Sequence, residues 1–385
     1  MTTAILTRAA ASIPARGRSA VRYFPIDGFE IAAFSALDSE RDSCERELLA
    51  GGVALPLPHR AVWARAQRRA ASWFIAARAP GAGYRAALAA EVSPSRALPG
   101  HLVVRVERLA GDRSEGALHA CVAALAKLAR GDSRVLRVSV ELCEPDEGAR
   151  AAIQAVLAAS GFGRAPLSRC YHKTLAIDLS PDSEAILAGL SKGTRREIRL
   201  ISKFGLSLRA ITDIRWAPRL DRLLGDVMRR TGGELERLNW PTRLALAASA
   251  PESARVVGLF RDGVESDEAL VAFACAYHHG SYAHYDAAAA LRDPSLKAPL
   301  AYALMWNLIG WAKAHGARWF DLGGVTDGSV GSADPLGGIS DFKRSFTKNV
   351  VTVGEEWSME PHAVRAWLAS ILRRGALWLR GPRRR

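Results

Sequence analysis

The feature that most constrains the fold is an order of strands and helices that occurs twice. Residues 72–179 are predicted to form two paired strands, a third strand, a helix, a strand, a second helix and a closing strand. Residues 255–359 repeat this order with little sequence identity to the first copy. Hairpin strands combined with helical crossovers predict an α/β (α+β) chain with two mixed, mostly antiparallel sheets, each flanked by helices. One large, irregular α/β domain is the alternative.

Segments between and outside the two copies complete the predicted domain organisation. Residues 181–250 are predicted to be mainly helical, and Pro241 stands where a helix start tolerates proline. The long helix of the second copy is predicted to run from about Ser295 to His315. The predicted parts are a flexible leader (1–20), an N-terminal domain (21–180), a C-terminal domain (181–360) and a basic amphipathic helix with a tail (361–385).

Composition limits the classes of protein that this chain can be. Almost half of the 385 residues are apolar, which is enough for full cores. The formal net charge of +14 favours contact with polyanions such as nucleic acid, a phosphate-bearing substrate or an anionic membrane surface, although a basic solvated surface would give the same number. Five widely spaced cysteines indicate reduced thiols in a cytoplasmic protein. No apolar run is long enough for a transmembrane helix.

Two motifs in the second half are typical of one superfamily. The stretches TRREIRLISKFGLSL (194–208) and FDLGG…PLGGISDFKRSF (320–346) resemble the Fem family, and the element order of both halves resembles the GNAT acyltransferase fold. Fem proteins are nonribosomal peptidyltransferases that add amino acids to peptidoglycan precursors, and they carry two GNAT-like domains. The resemblance therefore implies tandem GNAT-like domains and transfer of an acyl or aminoacyl group to an amine.

Lys343 is the main catalytic candidate. Acyl transfer to an amine passes through a tetrahedral oxyanion, so a site needs a hydrogen-bond donor or a cation aimed at that oxygen. Lys343 follows a glycine-rich loop and stands between Phe342 and Phe346, whose burial would lower the local dielectric. The resemblance places the motif lysine of the family here. A surface lysine on an amphipathic turn is the alternative.

Other residues of the same motif are predicted to accompany Lys343. Asp321 ends an apolar strand and either caps the following glycines or faces the site. Gly323 and Gly324 are predicted to let the backbone diverge and to offer amide donors to a substrate. Phe342 and Arg344 are predicted to contact the substrate.

A basic stripe is predicted on the helix of the first motif. Arg195, Arg199 and Lys203 are spaced at i, i+4 and i+8, and Arg196 lies about 100° away. Guanidinium groups suit phosphate binding because their planar fork makes bidentate hydrogen bonds. The resemblance implies that Arg196 or Arg199 lies near the phosphates of a precursor, whereas a solvated helix face is the alternative for each arginine.

Strand residues of the second copy supply the last candidates. Tyr285 lies on the third strand and is predicted either to donate to a substrate phosphate or carbonyl, or to pack. Cys275 and His279 share a strand face, but no further ligand pair is apparent, so no metal site is predicted.

The acyl donor is predicted from loops that resemble the GNAT coenzyme A motif only in part. In the first copy, RSEGAL keeps Arg113 and Gly116 but ends in Leu118. The equivalent stretch of the second copy, DPSLKAPL (293–300), contains prolines and no glycine, so it fits poorly the loop whose amides at a helix start cradle pyrophosphate. This favours aminoacyl-tRNA over an acyl-CoA as the donor, and no bound cofactor is predicted.

The predicted function combines these observations. The resemblance favours an N-acyl or aminoacyl transferase acting on an amine of a cell-envelope, peptidoglycan-like precursor. A CoA-dependent N-acetyltransferase and a non-catalytic basic module that binds RNA or membranes are the alternatives. The C-terminal stretch places apolar Val364, Trp367, Leu368, Ile371 and Leu372 on one helix face and arginines elsewhere, which predicts either a peripheral contact with the inner face of the membrane or a helix docked on the domain. The oligomeric state is left open.

Overall fold

The computed structural model of the chain describes residues 21–67, 72–111, 115–231, 238–293, 296, 298–334 and 336–379. The predicted leader, residues 1–20, lies outside these residues. The chain divides into two compact units. The first unit takes its residues from Met1–Ala64, Arg69–Cys170 and Gly354–Arg385, and the second unit from Arg65–Arg68 and Tyr171–Val353.

Most strands of the described chain are five to nine residues long, as is common for globular sheets. In chain order they are β1 (Arg22–Ile26), β2 (Phe29–Phe34), β3 (Ser72–Arg78), β4 (Tyr84–Pro94), β5 (Leu102–Leu109), β6 (Val135–Leu142), β7 (Gly163–Arg164), β8 (Lys173–Asp178), β9 (Leu206–Ala210), β10 (Ala254–Arg261), β11 (Leu270–His278), β12 (Tyr282–Ala290), β13 (Trp319–Gly324), β14 (Val350–Thr352) and β15 (Glu356–Met359).

The helices lie between groups of these strands and after the last one. In chain order they are α1 (Ser39–Ala50), α2 (Ala61–Ala66), α3 (Glu115–Gly131), α4 (Glu147–Ala159), α5 (Ser183–Gly189), α6 (Lys192–Leu200), α7 (Ala217–Thr231), α8 (Trp240–Ser249), α9 (Leu300–Ala314), α10 (Gly337–Arg344) and α11 (Ala363–Leu379). No helix within the described ranges is both long and apolar enough to span a bilayer.

The first unit contains a sheet with strand order β1-β2-β3-β4-β5-β6-β15-β7. Alternate side chains of a strand point to opposite faces of the sheet, and in the central strands both sets are buried. Trp73 and Ile75 of β3 pack with the α3 side of the core, whereas Phe74 packs with Cys44 and Leu48 of α1. The parallel pair β5–β6 extends from Leu102 to Leu109, and its register shifts twice, between Leu102 and Val103 and between Val106 and Leu109.

The second unit contains a sheet with strand order β14-β8-β13-β12-β11-β10-β9. Apolar residues of β10, β11 and β13 pack against α9, and this core includes Val257, Val271, Phe320 and Leu308. Its parallel pair is β12–β13, and all its other pairings are antiparallel. The fold-class prediction of two mixed, mostly antiparallel sheets flanked by helices is confirmed.

One predicted closing strand, and half of the other, belong to the opposite sheet. Residues 171–179 were predicted to close the first copy, but β8 pairs with β13 and β14 in the second sheet. Residues 350–359 were predicted to be one strand of the second copy. Instead they split at Gly354 into β14, which stays in the second sheet, and β15, which pairs with β6 and β7 in the first.

Gly354 explains why that last stretch cannot be one strand. It has φ +141, and a Cβ at this position would stand 2.5 Å from the carbonyl oxygen of Leu142. Glycine is the residue that tolerates both the backbone conformation and the close approach. The chain therefore turns at Gly354, between β14 and β15, although the sequence pattern predicted one strand through this residue.

The long helix of the second copy is shorter than predicted. It was expected from about Ser295 to His315, but α9 begins at Leu300, directly after Pro299. Residues that precede proline avoid the helical region, so a helix across Pro299 is disfavoured. Ser295 itself lies outside the described residues.

Candidate active site

The site is built where the parallel strands of the second unit separate. Strands β12 and β13 pair through three positions, ending at His284 and Asp321. Beyond them β12 continues beside β11, and β13 continues beside β8. In the pairing with β11, Tyr285 lies opposite Ala276 and Ala287 opposite Cys275, so Asp286 is an extra residue in a bulge. A bulge bends its strand, which accounts for the departure of β12 from β13 at this point.

A buried ion pair holds the bulge. Arg243 of α8 donates to the Asp286 carboxylate, and both side chains are largely buried. Burial alone would lower the pKa of Arg243, but the Asp286 carboxylate outweighs it and raises that pKa above its ordinary value. The thiol of Cys275 also approaches the carboxylate, at 3.6 Å. Losing either charged partner would leave the other buried and uncompensated.

Lys343 lies at this separation and is nearly dry. Its side chain projects from α10, the residue is 6% exposed, and Nζ donates to the carbonyl oxygen of Gly324 at 2.6 Å. The Tyr285 ring centre lies 5.8 Å from Nζ. Burial lowers the pKa of Lys343 from 10.5 to about 8, and the nearby charge of Asp321 opposes that shift. The ammonium form therefore predominates at neutral pH, with N–H donors beyond the one used by Gly324.

Aromatic packing and one side-chain bond fix the helix that carries Lys343. Phe342 packs edge-on against Tyr302 and Phe346, with ring centroids 5.2 and 5.4 Å away. Thr194 of α6 is buried and donates to the carbonyl oxygen of Ser345 at 2.9 Å. These contacts fix the helix on both sides of the buried Lys343, and they make Phe342 a packing residue and not a substrate contact.

Asp321 is fully buried and accepts hydrogen bonds on both oxygens. Oδ2 accepts from the Tyr171 hydroxyl at 2.6 Å, and Oδ1 accepts from the Thr174 hydroxyl and from the amide of Gly323 at 2.7 Å. Of the two sequence interpretations, this geometry fits the capping of the glycines. It does not fit a base that touches an acceptor amine, because no surface of the carboxylate is open to a ligand.

The two glycines have separate structural reasons. Gly323 has φ +77, a region that L side chains rarely adopt, and a Cβ there would stand 3.4 Å from Lys343 Nζ. At Gly324 a Cβ would stand 2.8 Å from the Cβ of Tyr171. The amide of Gly323 is already bonded to Asp321, so it is not a free donor for a substrate, contrary to its predicted use.

Arg344 belongs to the wall of the glycine-rich loop. Its guanidinium donates to the carbonyl oxygens of Gly328 and Thr326 and to the Asp341 carboxylate. Asp341 in turn accepts from the amide of Val330, and this bond holds the pKa of Asp341 below its usual range. Arg344 was predicted to contact the substrate, but the structure uses its donors to fix the loop that follows β13.

The basic stripe divides into one structural and two exposed arginines. Arg195 donates to the carbonyl oxygens of Ala188 and Leu190, both at 2.6 Å, and so caps the end of α5. Arg196 and Arg199 are exposed, and Arg196 makes a 3.5 Å ion pair with its neighbour Glu197. The predicted i, i+4, i+8 stripe does not continue to Lys203, because α6 ends at Leu200 and a 3₁₀ turn follows.

Tyr285 and two nearby histidines make separate contacts. Tyr285 packs against the second core, and burial raises the pKa of its hydroxyl above the ordinary range. His279 and His284 hydrogen-bond to each other at 2.7 Å. Among the described residues no group of three or more His, Cys, Asp or Glu side chains is arranged to hold a metal.

Sequence reasoning missed the residues that position this site. Tyr171 and Thr174 bind Asp321 from about 150 positions away in the chain, on a strand that had been assigned to the other sheet. Arg243 and Asp286, which are 43 positions apart in the chain, form the ion pair that holds the bulge. An aspartate in an otherwise apolar strand was a visible signal for Asp286, but nothing in the sequence identified its partner.

A large cavity lies elsewhere, in the first unit, and contains none of the predicted site residues. Its volume is about 1000 Å³, and charged side chains of both signs line it, among them Arg105, Arg137, Arg169 and Glu356. Arg169 and Glu356 are bonded to each other, with a shortest contact of 2.5 Å. The pKa of Arg169 is accordingly raised by that hydrogen bond.

Comparisons with known proteins agree with the fold. Residues 188–344 match the family described as the acetyltransferase (GNAT) domain. The crystal structure of FemX matches with a TM-score of 0.64 at 14% identity, over 80% of this chain and 93% of that one. L-PGS from Bacillus licheniformis matches with a TM-score of 0.49 at 11% identity, over 88% and 96%. A tandem GNAT protein from the clavulanic acid biosynthesis pathway gives 0.48 at 17%, over 86% and 98%. No curated protein sequence matches.

The matched stretch contains most of the site just described, but Tyr171 and Thr174 lie before it. It includes Tyr285 and Asp321 and ends at Arg344, directly after Lys343. The predicted GNAT resemblance is thereby confirmed for this part of the chain, and the likeness to FemX concerns the fold. Residues 188–344 therefore match the GNAT superfamily, within a chain whose fold is similar to that of FemX.

Proposed function

We propose that the second unit transfers an acyl or aminoacyl group to an amine, with Lys343 as the catalytic residue. The observation that carries this proposal is the buried Nζ of Lys343, held by Gly324 at the point where β12 leaves β13. A protonated amine in a dry site stabilises negative charge more strongly than one in water. No nucleophilic side chain is required, because the acceptor amine attacks the donor carbonyl directly.

The reaction follows from this placement. The acceptor nitrogen forms a bond to the carbonyl carbon, and the carbonyl oxygen becomes an oxyanion that accepts a hydrogen bond from Lys343. Collapse breaks the bond to the leaving group, a C–O bond for an ester donor or a C–S bond for a thioester donor. The proton of the amine passes to water or to the leaving group. Positioning and oxyanion stabilisation together supply the catalysis.

Asp321 acts in this proposal as a positioning residue. Its charge favours the ammonium form of Lys343, because it raises the pKa that burial lowers. Its bond to the Gly323 amide fixes the backbone that carries the Gly324 carbonyl. Tyr171 and Thr174 hold the carboxylate in turn. A chain of contacts thus links β8 to the orientation of Nζ.

The proposed acceptor is an amine on an anionic, peptidoglycan-like cell-envelope precursor, met at the cytoplasmic side of the membrane. Arg196 and Arg199 support this, because both are exposed on α6, and Thr194 of the same helix is bonded to Ser345, which directly follows α10. Guanidinium groups in that position suit a diphosphate. The similarity of fold to FemX adds to this choice of acceptor.

The proposed donor is an aminoacyl-tRNA, with an acyl-CoA as the second candidate. The prolines before α9 favour the first, because Pro299 lacks an amide proton for a phosphate and α9 has no side-chain cap there. The match to a family described as an acetyltransferase domain favours the second. Arg113, the basic residue of the partial motif in the first copy, lies outside the described residues.

Parallel transfer reactions test the function and the donor. The protein is incubated with a mixed amine pool that contains peptidoglycan precursors, and with either charged tRNA or a set of acyl-CoA thioesters. Mass spectrometry is expected to show aminoacyl addition that ribonuclease abolishes. Transfer from acyl-CoA in the presence of ribonuclease would replace the first donor with the second. Absence of transfer from both donors, together with RNA or lipid binding, would favour the non-catalytic module.

A further inference from the structure

Helix α11 turns its bulky apolar residues outward. Val364, Trp367, Leu368, Ile371 and Leu372 are spaced at i, i+3, i+4, i+7 and i+8, and each is between 43% and 72% exposed. This spacing puts all five on one helix face. We refer to these five residues as the outer face of α11. A monomeric protein seldom leaves so many large apolar side chains together in water.

The helix is held to the first unit by its other side. Ala366 and Ala369 are both 7% exposed and form the buried side. Arg365 donates to the carbonyl oxygen of Ser133, and a His362 ring nitrogen lies 3.2 Å from that of Asp132. Small residues and backbone contacts therefore anchor α11, while each residue of the outer face is at least 43% exposed.

Charge indicates what covers this face. Residues 361–385 contain seven arginines and neither aspartate nor glutamate, so this stretch carries a formal charge of +7. Two tryptophans, Trp367 and Trp378, belong to the same stretch. The side chains of Arg373, Arg374 and Trp378, and all residues beyond Leu379, lie outside the described part.

We propose that the outer face of α11 binds the surface of an anionic lipid bilayer. An amphipathic helix with tryptophan on its apolar face and many arginines lies in the plane of such a surface, with its apolar residues at the level of the lipid headgroups. Each arginine near an anionic surface adds attraction. RNA binding would use the arginines but leave the apolar face in water. A second copy of the chain would bring two basic stretches together, which their repulsion disfavours.

Vesicle flotation with the full chain tests this proposal. Vesicles of phosphatidylcholine alone are compared with vesicles that also contain phosphatidylglycerol. The double variant Leu368→Glu, Ile371→Glu removes apolar contacts from the outer face. The matched control is Ile214→Glu, Val264→Glu, which makes the same charge change at two exposed apolar residues of the second unit. All four side chains are exposed, so folding is expected to be preserved.

The expected result is binding to the phosphatidylglycerol vesicles and weak binding to phosphatidylcholine alone. The α11 variant is expected to lower partitioning by about ten-fold or more, and the control by less than about two-fold. Equal loss in both variants would overturn the proposal, because net charge alone would explain it. It would also be overturned by absence of vesicle binding in the wild type, or by an equilibrium dimer that the α11 variant dissociates. Transfer activity is measured separately, and neither result depends on the other.

Discussion

Each unit contains a parallel strand pair, and the two pairs differ in how far their strands stay together. In the first unit β5 and β6 remain paired from Leu102 to Leu109. In the second unit β12 and β13 pair over three positions and then separate around the Asp286 bulge. Both units place a helix after the second strand of the pair. Only the opening in the second unit receives a buried lysine from that helix within the described chain.

The segment between strand and helix shows the same difference. Four residues, 143–146, separate β6 from α4, whereas twelve residues, 325–336, separate β13 from α10. In the first unit the cation of the helix, Arg150, donates to the carbonyl oxygens of Glu144 and Pro145 and so fixes its own short loop. The architecture that both units share therefore does not by itself form a site. The second unit adds a bulge in β12, a long loop after β13 and a buried cation.

The largest expected effect is the loss of transfer on Lys343→Met. Removing one preorganised oxyanion donor lowers kcat by about 10²- to 10³-fold. The free energy of unfolding at pH 7 is expected to rise by about 1–3 kcal/mol, because the folded protein no longer buries an ammonium whose pKa burial lowers. Steady-state kinetics and thermal unfolding check both expectations.

Two control variants accompany that substitution. Lys313→Met removes a lysine that donates to the carbonyl oxygens of Leu179 and Pro181, and Arg150→Met removes the counterpart cation of the first unit. Both are expected to lower the unfolding temperature and to leave kcat within about two-fold. A loss at Arg150 as large as that at Lys343 would break the comparison between the units.

Gly324→Ala is expected to have the next largest effect. The new Cβ would meet Tyr171 at 2.8 Å, so the strand must shift and the carbonyl that holds Lys343 must move with it. We expect a loss of about ten-fold or more in kcat, because small displacements of a positioned group are costly. Gly310→Ala in α9, where a Cβ meets nothing within 4 Å, is the control. It is expected to add stability of about 0.5–1 kcal/mol and to leave activity unchanged.

Asp321→Asn is expected to shift the pH dependence of transfer. The Asp321 charge raises the pKa of Lys343, so its removal lowers that pKa below about 8. The ammonium is then lost at a lower pH, and the alkaline limb of kcat/KM moves to lower pH with a loss of about ten-fold at pH 8. Tyr171→Phe keeps the charge and is expected to leave the limb in place. An unmoved limb in Asp321→Asn would contradict the positioning role.

The smallest expected effect concerns the exposed arginines. Arg196→Gln with Arg199→Gln is expected to raise KM for an anionic acceptor by about five- to ten-fold with little change in kcat. Arg195→Gln is expected to lower stability instead, because it removes the bonds to Ala188 and Leu190. The same rise in KM with an acceptor amine that carries no phosphate or other anionic group would contradict the phosphate-binding role.

Local patterns predicted the elements of the fold, and distant pairing decided the rest. Strand periodicity and helix spacing located the elements that flank Lys343, and its aromatic neighbours predicted its burial. The sheet that β8 and β15 join depends on the strands with which they pair, and periodicity carries no information about a pairing partner. Asp321 shows the same limit, because two of its hydrogen bonds come from Thr174 of β8 and from Tyr171 just before it. Arg344 and Arg195 were assigned by residue type, but nearby carbonyl oxygens use their donors.

Direct titration of Lys343 tests the central claim without any knowledge of the substrate. The protein is labelled with ¹³C-lysine, the side-chain signals are followed by NMR as a function of pH, and the Lys343 signal is identified by its absence from Lys343→Met. A buried ammonium held by Gly324 predicts a midpoint at about pH 8. A midpoint at about 10.4, together with the exposed lysines, would show that this amine lies in water and would contradict the account.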